Sequence, residues 1–402
     1  MTYREIVILL LVGISLSSCG WNLNATNGGN GGTDPDTTSI FKNVSSSNLP
    51  QEFEATSPKA KSGDIDNDGD LDIIVAEAFA PNRVLINDGS GKFTDESSSR
   101  LPQQNYDSQD VTVTDLNSDG NLDLFFVGNQ NQSNELYINN GNGVFSDLTN
   151  RIPVSGNSTS IEALDIDVDG PVDILIGNIG QNVILMNSGN AFFNNQTLER
   201  LPQISNPTRD IALADLTGDN LRDIVVGNEN ANRILINTGS GFFTDQTTNR
   251  IPFTNDIKET ENINIADVDG DGDRDLYFGN TGFQEGSNPQ DRLLINTGAG
   301  FFADATSDRL PAITTFTFDA DFADLDNDGD FDLVVGNYNG GIRVLINNGN
   351  GFFTDNSAAW IPENFSPFVM DLEIADFNGD NLPDIYIAVE DGANQLLLQR
   401  NN

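Results

Sequence analysis

The sequence predicts an all-β fold, a seven-bladed β-propeller of four-stranded blades whose last blade is completed by an N-terminal strand, and three observations carry that reading. A nine-residue acidic phrase, Asp-x-Asp-x-Asp-Gly-x-x-Asp, recurs seven times, starting at Asp64, Asp115, Asp165, Asp215, Asp267, Asp324 and Asp376 at intervals of 51, 50, 50, 52, 57 and 52 residues. Each period holds four short β-rich runs separated by Gly and Asn turns, with no useful helical window. The phrases are also circularly permuted. The third-strand phrase runs from Val84-Leu85-Ile86-Asn87 to Leu396-Leu397-Leu398-Gln399, but the phenylalanine strand that should follow it first appears before any acidic phrase, at Ile40-Phe41-Lys42-Asn43. Strand exchange of this kind closes a ring and removes two open sheet edges, whereas a linear solenoid has no reason for the offset.

Taken from the N-terminus, residues 1–18 read as an export signal, with Arg4 ahead of an apolar run from Ile6 to Leu16 that is too short to span a bilayer comfortably. The run ends in Leu16-Ser17-Ser18-Cys19, which resembles the lipobox of bacterial lipoproteins. That resemblance implies cleavage before Cys19, acylation of its thiol and new amino terminus, and lipid anchoring to the bacterial cell envelope; Gly20 after the cysteine favours the outer membrane or cell surface. An ordinary signal peptide with an incidental cysteine is the alternative. Cys19 is the only cysteine, so no disulfide or thiol metal site competes for it. Residues 19–39 comprise this cysteine and a Gly/Asn/Thr-rich tether with too little apolar surface to order itself. Residues 40–402 belong to the repeat, and no second domain is expected.

The fourth copy displays the period best. Asp210-Ile211-Ala212-Leu213-Ala214 leads into the acidic loop, followed by Asp223-Ile224-Val225-Val226-Gly227-Asn228, Arg233-Ile234-Leu235-Ile236-Asn237, Phe242-Phe243-Thr244-Asp245 and Arg250-Ile251-Pro252. Runs that are apolar on both faces, such as Ile224 to Val226, predict sheets sandwiched between neighbouring sheets. Phenylalanine pairs such as Phe242-Phe243 are expected in the core.

The acidic phrase matches what a hard dication needs, roughly six to eight oxygen ligands wrapped by a short chain segment. In the first copy Asp64, Asp66 and Asp68 would supply side-chain oxygens, Gly69 the left-handed turn, Asp70 its backbone carbonyl, and Asp72 the closing ligand. The third copy offers Asp165, Asp167, Asp169 and Asp173, with Pro171 at the carbonyl position; the fifth offers Asp267, Asp269, Asp271 and Asp275; the sixth offers Asp324, Asp326, Asp328 and Asp332. Three copies are diluted: Asp115, Asn117, Asp119 and Asp123 in the second, Asp215, Thr217, Asp219 and Asp223 in the fourth, and Asp376, Asn378, Asp380 and Asp384 in the seventh. In the fourth and seventh Asn220 and Asn381 replace the glycine, Asn being the other residue that tolerates positive φ. Acidic Asp/Gly turns between strands favour the same residues on conformational grounds alone. A turn needs one Asp or Gly, however, and these loops gather three or four carboxylates each, which would repel one another without a cation. Up to seven Ca²⁺ ions are expected.

The net charge of −42 and the pI near 4.1 disfavour nucleic acid and anionic membrane surfaces, so the membrane is expected to be met only through the lipid anchor. At 402 residues and 37% hydrophobic, the chain can bury a large core.

With the acidic loops and the Val-Gly-Asn second strands, as in Val127-Gly128-Asn129 and Val335-Gly336-Asn337, residues 40–399 resemble the FG-GAP/VCBS repeat family, relatives of the integrin α propeller. The resemblance implies calcium in the loops between first and second strands and ligand binding on the opposite face. Aromatic residues concentrate in the loops expected there: Phe283 in the insertion Gly282 to Gln290, Phe316 and Phe318, Tyr338, and Phe365 and Phe368. Exposed together they would mark protein or sugar recognition, while packing between blades is the competing role.

Three functions remain open: a surface-tethered binding or adhesion module for a protein or glycan, a carbohydrate-active enzyme, and a structural envelope assembly protein. The chain has no histidine, which removes the common hydrolase triads and zinc sites. Carboxylate pairs could support glycoside cleavage, but nearly all clustered carboxylates are claimed by the loops. The expectation is a non-catalytic module.

Overall fold

The computed structural model describes residues 39–50, 55–130, 133–252, 259–283, 289–312, 315–390 and 392–400. The export signal, Cys19 and the tether up to residue 38 lie outside them. Among the described residues, no helix is long and apolar enough to cross a membrane.

Strand β1 (Phe41–Asn43) comes first, ahead of the repeats. Repeat 1 contributes β2 (Thr56–Gly63), β3 (Asp72–Ala80), β4 (Arg83–Asn87) and β5 (Phe93–Asp95). Repeat 2 contributes β6 (Tyr106–Thr114), β7 (Asp123–Gly128), β8 (Glu135–Asn139) and β9 (Phe145–Asp147). Repeat 3 follows with β10 (Ser158–Leu164), β11 (Asp173–Gln181), β12 (Val183–Asn187) and β13 (Phe193–Asn195), and repeat 4 with β14 (Ser205–Ala214), β15 (Asp223–Asn228), β16 (Arg233–Asn237) and β17 (Phe243–Asp245). Repeat 5 has β18 (Glu259–Ala266), β19 (Asp275–Thr281), β20 (Arg292–Asn296) and β21 (Phe302–Asp304); repeat 6 has β22 (Thr317–Ala323), β23 (Asp332–Asn337), β24 (Gly341–Asn347) and β25 (Phe353–Asp355). The final repeat has β26 (Val369–Ala375), β27 (Asp384–Val389) and β28 (Gln395–Gln399).

Among the described residues all strand pairing is antiparallel and yields five sheets, three of four strands and two of eight. In the larger sheets two consecutive repeats are joined where the far end of β3 meets β6 and that of β11 meets β14, away from the acidic loops. The N-terminal strand β1 pairs with β28, Phe41 opposite Gln399, so the permuted phrase supplies the outer edge of the last repeat's sheet. First strands touch in cyclic order, and β26 returns to β2.

The second strands are buried on both faces; β15 and β23 are buried at every residue. Each apolar cluster is therefore shared between neighbouring repeats. Val225 and Ile234 pack with Leu276 and Phe278 of the next repeat, and Ile73 and Val75 of repeat 1 pack with Tyr386 and Leu396 of the last. Burying one such side chain contributes about 1.5–3 kcal/mol, and most of it is realised only when the neighbour is present.

One packing expectation is corrected. Phe243 is buried, but Phe242 is 45% exposed, with the Arg200 guanidinium 4.9 Å from its ring. Successive residues entering a strand point to opposite faces, so only one member of the pair can reach the core. Phe192, Phe301 and Phe352 repeat this outward position beneath Arg151, Arg250 and Arg309.

Candidate metal centres and the opposite face

Each acidic loop leaves the first strand and enters the second, and its own hydrogen bonds already shape it. The first aspartate holds the loop's amides: Asp64 accepts from Asp68 and Gly69, Asp215 from Gly218, Asp219 and Asn220, and Asp376 from Gly379, Asp380 and Asn381. The residue at the expected glycine position has positive φ in every copy, 98° at Gly69 and 65° at both Asn220 and Asn381. A second left-handed residue precedes it by two positions, at Asn67, Ser118, Val168, Gly218, Gly270, Asn327 and Gly379, and the sequence reading missed it.

The ninth-position aspartates have a double role. Asp72 is fully buried, with Oδ2 accepting from the Ile65 amide at 3.2 Å and Oδ1 from the Asn87 amide at 2.9 Å. Asp123, Asp173, Asp223, Asp275, Asp332 and Asp384 each repeat this pair of bonds to the loop's second residue and the end of the third strand. Burial outweighs these donors and pushes the carboxyls up, to about 7 at Asp72 and about 6 at Asp332.

Four loops bring three carboxylates to within 4.8 Å of one another: Asp64, Asp66 and Asp72; Asp165, Asp167 and Asp173; Asp267, Asp269 and Asp271; Asp324, Asp326 and Asp332. These are the four copies with an aspartate at every ligand position. Asp68, Asp169 and Asp328 lie outside their triads, and Asp275 lies outside the fifth. Asp68 and Asp328 each accept the amide two residues on. In the diluted copies Asn117 donates to Asp119 at 3.0 Å, and the Thr217 hydroxyl is buried with no hydrogen-bond partner among the described residues. The donor set is all oxygen, as a hard cation requires. Asp66, Asp167 and Asp269 each keep one buried oxygen, Oδ1, without a hydrogen-bond donor among the described residues, so the residues present fit a bound cation.

The loops are tied to their neighbours. The side-chain amide of the asparagine ending the third strand reaches the second loop residue of another repeat: Asn139 to the Ile65 carbonyl at 2.7 Å, Asn347 to Val268 at 2.8 Å, and Asn87 to Phe377 at 2.8 Å across the first and last repeats.

Inside the ring of first strands sits a charged layer that sequence reasoning missed. Lys59, Asp110, Ser160, Asp210, Asn262, Asp319 and Asp371 occupy the same register, each four residues before the first strand ends opposite the ninth-position aspartate. The aspartates of this layer each accept an amide from another inner strand: Asp110 from Ile161, Asp210 from Ile263, Asp319 from Leu372 and Asp371 from Ala60. The Lys59 ammonium lies 3.1 Å from Asp319 and 2.6 Å from Asp371. Burial works against its charge, but these carboxylates, with Asp110 and Asp210, hold its pKa above the ordinary value. A polar residue recurring about every 50 positions, four before the end of each first strand, was the available signal.

The aromatic candidates lie at the strand ends remote from the acidic loops. Strand β22 carries Phe318 near its start and leads into Asp324, Leu325 and the sixth loop beyond its end; a strand of that length spans about 23 Å. Phe283 lies 4.8 Å from Phe316 and 6.0 Å from both Phe318 and Tyr338, ring centre to ring centre; Tyr338 stacks on Phe318 at 4.9 Å and meets Phe368 at 5.7 Å. Phe368 is 56% exposed, Phe283, Phe316 and Tyr338 are half-buried, and Phe318 is 7% exposed beneath them. Phe365 stands apart, packed against the cluster that contains Phe41 and Trp360.

Cyclic contact among first strands, with apolar clusters shared between neighbouring sheets, defines a propeller-like repeat fold. The model of the FG-GAP-like repeat matches residues 64–126, 115–176, 165–226, 215–278, 267–335 and 324–387, and the chain belongs to that family. Among solved structures, it is similar to an Agrocybe aegerita lectin described as recognising non-reducing terminal N-acetylglucosamine, with 20% identity over 82% of this chain and 88% of that one and a TM-score of 0.54. It is similar to BBS1N, solved in complex with ARL6DN, with 12% identity over 91% of this chain and 98% of that one and a TM-score of 0.60. An extracellular domain of a B. thetaiotaomicron hybrid two-component system matches at 13% identity over 90% of this chain and 40% of that one, with a TM-score of 0.55. At these identities the likeness concerns the fold alone. No curated protein matches the chain.

Proposed function

We propose that the protein is a calcium-stabilised, surface-tethered, non-catalytic binding or adhesion module, built as a seven-bladed propeller that recognises a protein or glycan through the face opposite its acidic loops. The observation that carries the binding reading is the aromatic group Phe283, Phe316, Tyr338 and Phe368, gathered from three successive repeats over the buried Phe318. Aromatic side chains partly open to solvent and supported from below offer rigid contact area at low entropic cost. The blade count of seven is supported by counting each eight-stranded sheet as two repeats beside the three four-stranded sheets. Calcium is supported by the four carboxylate triads and by the family's acidic phrase. Tethering through Cys19 rests on the lipobox resemblance.

The test is a glycan and protein-partner binding screen with the parent chain and with Phe316, Tyr338 and Phe368 replaced together by Ser, each with calcium and with chelator. Binding by the parent that falls at least about tenfold in the triple variant, a loss of roughly 1.4 kcal/mol, supports the module. Turnover of a polysaccharide would replace it with the enzyme, and self-association alone with the assembly protein.

A further inference from the structure

Arg100, Arg200 and Arg309 end the short helices Ser97–Arg100, Thr197–Arg200 and Thr306–Arg309 that follow the outer strands of repeats 1, 3 and 5. Each guanidinium touches two repeats. Arg100 Nη2 donates to Asp66 Oδ2 at 3.0 Å while Nη1 donates to the Asn142 carbonyl at 2.8 Å, in the turn between β8 and β9 of repeat 2. Arg200 donates likewise to Asp167 Oδ2 at 3.0 Å and to the Ser240 carbonyl of repeat 4. Arg309 donates to Asp269 Oδ2 at 2.9 Å and lies over Phe352 of repeat 6. The turns approach closely because they carry glycine: a Cβ at Gly241 would lie 2.7 Å from Arg200 Nη1.

In all three aspartates the second oxygen, Oδ1, is buried and has no hydrogen-bond partner among the described residues, and all three belong to carboxylate triads. A buried carboxylate oxygen without a donor is unfavourable unless a cation faces it. We propose that Arg100, Arg200 and Arg309 are positioning residues for cation loops 1, 3 and 5, each holding one aspartate oxygen so that the other faces the loop centre, and each coupling the loop to the seam with the next repeat. This rests on the calcium reading. The planar guanidinium fork suits the task because it fixes a carboxylate's orientation as well as its charge.

The chain contains its own controls. Arg151 and Arg250 hold the corresponding turns through the Asn190 and Ala299 carbonyls, at 2.7 and 2.6 Å, but stand in register with Asn117 and Thr217, which carry no carboxylate. Repeat 6 keeps Asp326 but has Trp360 where the arginine would stand.

Amide hydrogen exchange of the full chain, followed against free calcium, resolves each loop. Arg100→Gln is expected to raise the calcium midpoint for protection of residues 64–72 about tenfold, the lower end of the effect of groups that orient metal ligands. It should also abolish calcium-linked protection of residues 140–144 and leave residues 324–332 unchanged. Arg100→Lys should fall between parent and Arg100→Gln, and it carries the test if the glutamine variant does not fold. Arg250→Gln should leave the midpoint of residues 215–223 unmoved. An unchanged midpoint in Arg100→Gln, or an equal shift in Arg250→Gln, overturns the positioning role while calcium binding by the parent stands. A parent whose loops show no calcium-linked protection overturns the calcium reading and this proposal together.

Discussion

Val168 shows how tightly the loop backbone is specified. Its φ of 63° places a β-branched residue in the left-handed region, and its side chain is 72% exposed, so no packing compensates. Left-handed backbone costs an ordinary L-residue roughly 1–2 kcal/mol. Val168→Gly is therefore expected to raise unfolding free energy by about 1 kcal/mol, measurable by denaturant titration. Lys59 sits at the other extreme, held between carboxylates whose side chains are almost wholly buried. Removing one partner of a buried ion pair costs about 3–5 kcal/mol; Lys59→Met should lose stability on that scale, and a melting curve like the parent's would refute it. At this scale the sequence was only partly legible. Asn220 and Asn381 announced their positive φ because Asn tolerates it, whereas Val168 announces nothing.

At the scale of single elements, β1 and the inner strands make separate predictions. Without residues 38–50 the strand β28 keeps β27 but loses its outer partner and presents an open edge, so the truncated chain should aggregate or unfold without cooperativity; a parent-like melt would mean the last sheet does not need β1. On inner strand β10, burial pushes the Glu162 carboxyl up to about 8, helped by Asp210 and Asp110 and opposed by Lys61 and Lys59. Asp321 is raised to about 7 by burial, against the pull of Lys61 and Lys59. A folded carboxyl with a raised pKa keeps a proton that the unfolded chain has released, so the contribution of these groups to stability is greatest below about pH 4.5 and falls as pH rises towards 8. In chelator, the melting temperature should fall between about pH 5 and pH 8, and Glu162→Gln should make that fall shallower; an unchanged slope would remove Glu162 from the account.

For the whole molecule, the net charge of −42 is concentrated in loops that lie at one end of the repeats, so cations should matter globally. A ligand that binds only the folded chain stabilises it by about 2.7 kcal/mol per site at a hundredfold excess over its dissociation constant. Chelation should lower the melting temperature, and Asp66→Asn should reduce calcium stabilisation more than Asp219→Asn, since the first loop gathers a triad and the fourth does not. Equal losses in a calcium titration of the two variants would reject that ranking.

The strand content, the period, the acidic loops and the exchange of β1 were all determined by sequence, because each depends on local spacing: turn residues, apolar runs and phrase order survive in one dimension. The tertiary structure alone decided which phenylalanine of each pair faces solvent, which aromatic candidates gather around Phe283, and that Phe365 packs elsewhere. It alone brought Lys59 to Asp319, 260 residues away, and to Asp371, and Arg100 to Asp66 and Asn142 at once. Those contacts depend on how one sheet stacks against the next, and stacking places side chains together that have no fixed separation along the chain.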